Sequence, residues 1–187
     1  MAANSWVMFP PDAIPLPLHY SRLLRHVLGE LPETRYDEKT ETLWYSFTPR
    51  KNAGGTHLYA HGGLSAAILD EAMGVTVWLG GRTALAAKLD FSYHQPVELD
   101  KLYYVRARLR RVDQRRALAE GQILRDSERP LVTARGLFLR TDFAEIGALP
   151  RELGILLEFY ENRQRGISAR EAAKLMKDDP ASRAPPS

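Results

Sequence analysis

His61-Gly62-Gly63-Leu64-Ser65-Ala66-Ala67-Ile68-Leu69-Asp70-Glu71-Ala72-Met73-Gly74 decides the fold of this 187-residue chain. A glycine pair opens a segment of about four helical turns. The segment is apolar on almost every side, with two adjacent carboxylates at its middle. A helix without a polar face is a buried helix. A carboxylate in such a helix is costly to keep charged unless it is paired or used. The pattern predicts a helix from about Leu64 to Leu79, stopped by Gly80 and Gly81 as C-terminal glycines do.

Elements follow on either side. Residues 1–20 are proline-rich, without periodicity, and read as an irregular arm. Ser21 to Leu31 predicts a helix with Leu23, Leu24, Val27 and Leu28 on one stripe, ended by Pro32. Glu41 to Pro49 predicts a strand, with Leu43, Tyr45 and Phe47 alternating. After the central helix come four predicted strands: Thr83 to Tyr93, Leu102 to Val112, Ala117 to Arg125 and Leu131 to Thr141. Turn residues separate the last three, at Val112-Asp113-Gln114 and at Asp126 to Pro130. Beyond Thr141 the period is helical again, with Leu153, Leu156, Leu157 and Tyr160 on one face. A further helix is predicted from Ser168, a cap with Glu171 three residues on. Pro180 to Ser187 reads as a disordered tail.

Consecutive strands joined by short turns make an antiparallel sheet, and a sheet must bury one face. The one sufficiently apolar helix carries Asp70. The predicted architecture is α+β: an antiparallel sheet wrapped around a long central helix. The organisation reads as an arm and helix over residues 1–40, a core domain over 41–142, and a helical extension with tail over 143–187.

Composition narrows the function. There are no cysteines, which excludes disulfides, a thiol nucleophile and cysteine metal sites. The five histidines have no metal-like spacing, so no metal is expected. No apolar run is long enough to span a bilayer. The N-terminus shows no signal pattern, and its first basic residue is Arg22. A cytoplasmic location without membrane association is the expectation. A net charge of +3 is too small to point to nucleic acid. Locally, Arg106, Arg108, Arg110, Arg111, Arg115 and Arg116 crowd one region. They read either as a solvated strand face or as a landing site for phosphate.

On a helix, residues at i−4 and i+4 share a face. For Asp70 these are Ala66 and Gly74, both small, which leaves a groove around the carboxylate. For Glu71 they are Ala67 and Val75, which leaves less room. Asp70 is suited to attack a carbonyl or to deprotonate a water that does so; as a buried, hydrogen-bonded acid it would be structural instead. Gly62 and Gly63 let backbone approach a ligand closely. Free N–H groups at a helix start favour an oxyanion, although a tight turn alone would also need such glycines. His61 reads as a residue that holds this loop or touches the reacting group. Trp78, Phe91 and Tyr93 are candidates for an apolar pocket or for plain core.

The His61-Gly62-Gly63 turn, the acid nine residues after the histidine, and Leu89-Asp90-Phe91-Ser92-Tyr93-His94-Gln95-Pro96-Val97 together resemble the hotdog-fold thioesterases of the PaaI-like kind, over about residues 40–141. The resemblance implies hydrolysis of an acyl thioester of coenzyme A or of an acyl carrier protein. It implies a site built between two subunits, hence a homodimer or a dimer of dimers, with coenzyme A entering only as part of the substrate and no separate cofactor. It implies Asp70 as the catalytic carboxylate, Gly63 as a backbone donor to the thioester oxygen, and His61 beside them. Gly62, Leu64, Glu71 and Ala86 are the further positions expected against the substrate, with Arg106, Arg108 and Arg110 expected at its phosphates. Glu71 also suits an inter-subunit contact. Many relatives carry threonine or serine where this chain has Ala86, and Thr83 lies three residues earlier. That departure leaves a second reading open, a non-catalytic acyl-CoA-binding or ligand-sensing hotdog protein. A hotdog dehydratase would need a histidine following the acid, and here it precedes it.

Overall fold

The computed structural model describes residues 9–16, 24, 28, 34–125, 129–141 and 151–178. Seven strands form one sheet: β1 (Ile14–Leu16), β2 (Thr34–Asp37), β3 (Thr42–Phe47), β4 (Ala84–Tyr93), β5 (Tyr103–Val112), β6 (Arg116–Leu124) and β7 (Val132–Arg140). Their order across the sheet is β1-β2-β3-β5-β6-β7-β4, and every neighbouring pair is antiparallel. The central helix α1 (Gly62–Leu79) leaves β3 and crosses the inner face to reach β4 at the far edge. This is the hotdog arrangement that the sequence predicts.

Alternation explains which face is inner. Leu43, Tyr45 and Phe47 of β3, Val105, Ala107 and Leu109 of β5, and Ala117, Ala119 and Ile123 of β6 are all buried beneath α1. From α1 itself, Leu64, Ile68, Leu69, Met73 and Val77 enter the same core. Each such side chain contributes about 1.5–3 kcal/mol on burial, so packing holds this helix more than intrinsic propensity does. Gly121 allows the close approach: a Cβ there would stand 3.1 Å from Leu69 and 3.3 Å from Met73. Tyr45 Oη donates to the Ile68 carbonyl at 2.9 Å, tying β3 to the helix.

The sequence predicts a helix buried all round, and the structure corrects this. Residues 66, 67, 70, 71, 74 and 75 form a stripe that is only half-buried, on the side away from the sheet. Beyond β4 there is a second opening. Among the described residues β4 pairs only with β7, so its outer edge is free.

Two further strands are absent from the sequence reading. Ile14–Leu16 and Thr34–Asp37 extend the sheet past β3. Pro15 has no N–H to donate and is tolerated in β1 because that strand is an edge. Leu24 and Leu28, the described part of the predicted first helix, are helical and buried. The predicted tail lies outside the described residues. The extension forms α2 (Arg151–Gln164) and α3 (Ala169–Asp178). Ser168 caps α3 as predicted, its Oγ accepting the Glu171 N–H at 3.2 Å. Phe159 of α2 is buried edge-on against Tyr36, and Tyr160 lies against Gly81, where φ is +82°. Burial pushes the Tyr36 phenol well above its ordinary range, and the charges of Glu41 and Asp37 add to the shift.

Candidate active site

The opening turn of α1 is fastened from several sides. A short 3-10 turn at Lys51–Ala53 receives the chain again at His61, whose N–H donates to the Ala53 carbonyl at 2.8 Å. Ala60 N–H donates to the Val97 carbonyl at 2.8 Å. His61 is the N-cap, in extended backbone, and its Nδ1 accepts the Gly63 N–H at 2.9 Å. The neutral ring therefore carries its proton on Nε2. Tyr93, at the end of β4, donates its hydroxyl to the Gly62 carbonyl at 3.1 Å. The Gly62 N–H has no acceptor among the described residues. It stands at a helix N-terminus, where backbone dipoles favour negative charge.

Asp70 sits on the half-buried stripe of α1, with Ala66 and Gly74 one turn away on either side. Burial raises its carboxyl above the ordinary aspartate range. Eight residues separate it from Gly62, a rise of about 12 Å along the axis. An aspartate side chain covers only a small part of that length. One thioester carbonyl cannot touch the Gly62 N–H and the Asp70 carboxylate of the same chain. The two groups can meet at one carbonyl only when they come from different copies.

The thioesterase superfamily model matches residues 57–132, the segment that holds this turn, α1 and strands β4 to β6. Over this segment the chain is similar to the thioesterase superfamily. A thioesterase superfamily protein of known structure is 27% identical over 58% of this chain, with a TM-score of 0.55. This chain spans 53% of that protein's length, about half. The PaaI protein of Escherichia coli, from the phenylacetic acid degradation operon, is 18% identical over 64% of this chain and 85% of its own, with a TM-score of 0.56. A protein from Streptococcus pneumoniae described as a hypothetical thioesterase, solved with coenzyme A, is 15% identical over 54% of this chain and 78% of its own, with a TM-score of 0.51. At identities this low the last two show likeness of fold alone. None of the curated proteins compared matches the chain.

The structure sorts the expected residues. His61, Gly62 and Gly63 form one turn with unequal backbone donors. The Gly63 N–H is occupied by the His61 ring, and the open one is Gly62. His61 holds the loop as a cap. Leu64 is buried in the core under the first turn. Glu71 lies half-buried on the same stripe as Asp70. Ala86 is exposed on β4, beside an irregularity that shifts the register against β7 between Ala86 and Lys88. Thr83 cannot supply the missing hydroxyl, because its Oγ1 donates to the Thr141 carbonyl at 3.0 Å. Trp78 is core, its Nε1 donating to the Ala84 carbonyl at 3.0 Å.

Arg106, Arg108 and Arg110 alternate with the buried Val105, Ala107 and Leu109, so they stand on the outer face of the sheet. Within one chain the structure does not bring them to Asp70, because the sheet lies between. The Tyr93 tether was missed by sequence reading. Its signal was a tyrosine closing a strand that returns to the helix start, but such a position fits a pocket wall equally well. Among the described residues no group of three histidine, aspartate or glutamate side chains is placed to hold a metal ion. No described helix is long and apolar enough to cross a membrane.

Proposed function

We propose that this protein hydrolyses acyl thioesters, with acyl-CoA as the first substrate to test. The observation that carries the proposal is Asp70: a half-buried carboxylate, made more basic by burial, on an open stripe beside small residues. A general base works best when its pKa is drawn toward the working pH. Asp70 acts as nucleophile or as the base that activates water. The Gly62 N–H of a second copy polarises the thioester carbonyl, and one such donor is worth about 3 kcal/mol in the transition state. The free edge of β4 and the exposed Leu85 and Tyr93 on it suit pairing with that second copy. No cofactor is required beyond the coenzyme A of the substrate.

The test is thiol release from a panel of acyl-CoA thioesters by the wild type and by Asp70→Asn. Turnover by the wild type and loss in the variant support hydrolysis. A variant that folds and turns over normally removes Asp70 from the chemistry. One observation favours a second reading, an acyl-CoA binder without turnover: Ala86 offers no hydroxyl, and Thr83 is engaged elsewhere. Saturable binding of acyl-CoA with no thiol release from any member of the panel would establish it.

A further inference from the structure

The face of the sheet opposite α1 carries its own cavity, a trough of about 350 Å³ lined by Pro10, Trp44, Arg106, Arg108, Arg110 and Glu120 among others. Strand register builds it. Trp44 of β3, Arg106 of β5 and Gln122 of β6 lie side by side in one row, and Thr42, Arg108 and Glu120 in the next. The three arginines alternate along one strand, about 7 Å apart.

Their engagement is unequal. Arg106 lies over the Trp44 ring, 5.4 Å from its centroid, and its Nε donates to Gln122 at 3.0 Å. Arg110 Nε pairs with Glu120 at 2.8 Å, and Arg135 approaches the same carboxylate at 3.6 Å. Arg108 spends one donor, Nε, on the Thr40 carbonyl at 3.1 Å. Among the described residues it has no carboxylate partner, so its paired terminal N–H groups are unclaimed. The acids of the trough are satisfied from within: Glu120 by its two arginines, and Asp37 by the Lys39 N–H and the Thr40 hydroxyl. Trp44 is only 8% exposed, yet its Nε1 is buried without an acceptor. A buried donor with no acceptor is costly, and most proteins avoid one.

A guanidinium fork with no anion, flanked by two more guanidinium groups over an unsatisfied indole, lacks a negatively charged acceptor. A single carboxylate offers two oxygens and is satisfied by one fork. A phosphate monoester offers three oxygens and close to two charges, enough to engage Arg108 and a neighbouring arginine together. We propose that this trough binds a phosphate monoester. The proposal does not rest on the hydrolase reading, because the sheet separates the trough from Asp70.

Isothermal titration calorimetry of the full chain in phosphate-free buffer tests it, with glucose 6-phosphate, 3′,5′-ADP and succinate as probes. Saturable binding of at least one of the two phosphates, weakened at least tenfold by Arg108→Gln and retained by Asp70→Asn, supports the site. Trp44→Phe, folded by circular dichroism, should weaken it by a smaller factor. Binding of 3′,5′-ADP alone supports it with the nucleotide end of coenzyme A as source. Binding of both phosphates supports it with small phosphate metabolites as source. No saturable phosphate binding, tighter binding of succinate, indifference to Arg108→Gln, or loss in Asp70→Asn would each overturn it.

Discussion

The two halves of α1 do different work. From Ala72 to Leu79 the helix is mostly closed: Ala72, Met73, Thr76 and Val77 have no exposed surface, Trp78 is bonded to Ala84, and only Gly74 and Val75 stay half-buried. The turn after it is covered by Tyr160. From His61 to Asp70 the helix is open: the first three residues are exposed, and Ala66, Ala67 and Asp70 are half-buried. A single helix can thus be anchored at one end and offered to a ligand at the other. Beside Asp70 the open stripe carries Ala66, Ala67 and Gly74, which leave room, while Ile68, Leu69, Met73 and Val77 fill the core on the opposite side.

Six substitutions and one pH series test this division. Met73→Ala strikes the closed half and should cost about 2–5 kcal/mol of stability through cavity formation, read by denaturant unfolding, with kcat per folded molecule preserved. Asp70→Asn should do the reverse. Its kcat should fall at least about 10²-fold, while unfolding stability holds or rises slightly, because a half-buried charge is removed. Loss of folding in Asp70→Asn would make the acid structural and dissolve the contrast. Glu71→Gln should matter much less to kcat, its face being crowded by Val75.

The pH series sharpens the same point. Burial raises the folded-state pKa of Asp70 above its unfolded value. The charged form is therefore disfavoured by folding: the penalty is fully present above the folded pKa and absent below the unfolded one. The stability advantage of Asp70→Asn should shrink as pH falls through that window. The acid limb of kcat/KM should lie above the ordinary aspartate range, and a limb at or below that range would deny Asp70 the role of base.

Gly63→Ala comes next. Its Cβ would meet His61 Nδ1 at 2.8 Å, displacing the ring that caps the helix, at about 1 kcal/mol by the usual worth of a cap. Gly62→Ala meets only ordinary contact with Tyr93 at 3.6 Å and should be milder in thermal unfolding. Tyr93→Phe should give the smallest change. It removes one exposed bond to the Gly62 carbonyl, with a stability loss below about 1 kcal/mol. Its effect should show mainly as faster hydrogen exchange at the helix start.

The periodicities carried the central helix and the four strands after it to within a few residues. Gly62–Leu79 was expected from about Leu64, and Tyr103–Val112 from Leu102. β5, β6 and β7 bury alternate residues over most of their length, so pattern and structure coincide there, whereas β4 is mostly exposed. β1 and β2 escaped because three and four residues are too short to show a period. Asp70 was legible because a carboxylate among alanines breaks the pattern. The open N–H at the helix start was legible only as one of a glycine pair. Choosing Gly62 over Gly63 depends on a histidine ring folding back two residues, and histidine is not among the usual caps. The arginines were legible as a cluster and as one face of a strand. Alternation with Val105, Ala107 and Leu109 puts them on the face away from the helix, but that Trp44 and Glu120 stand beside them depends on the register of β3 and β6.

The 12 Å of helix between Gly62 and Asp70 has a kinetic corollary. If one carbonyl needs a group from each of two copies, the working species is second order in chain. On dilution below the dissociation constant of the pair, specific activity would fall in proportion to protein concentration rather than remain constant. Supply of the chain itself would then act as a throttle: a cell that halved its content of this protein would lose more than half of its turnover.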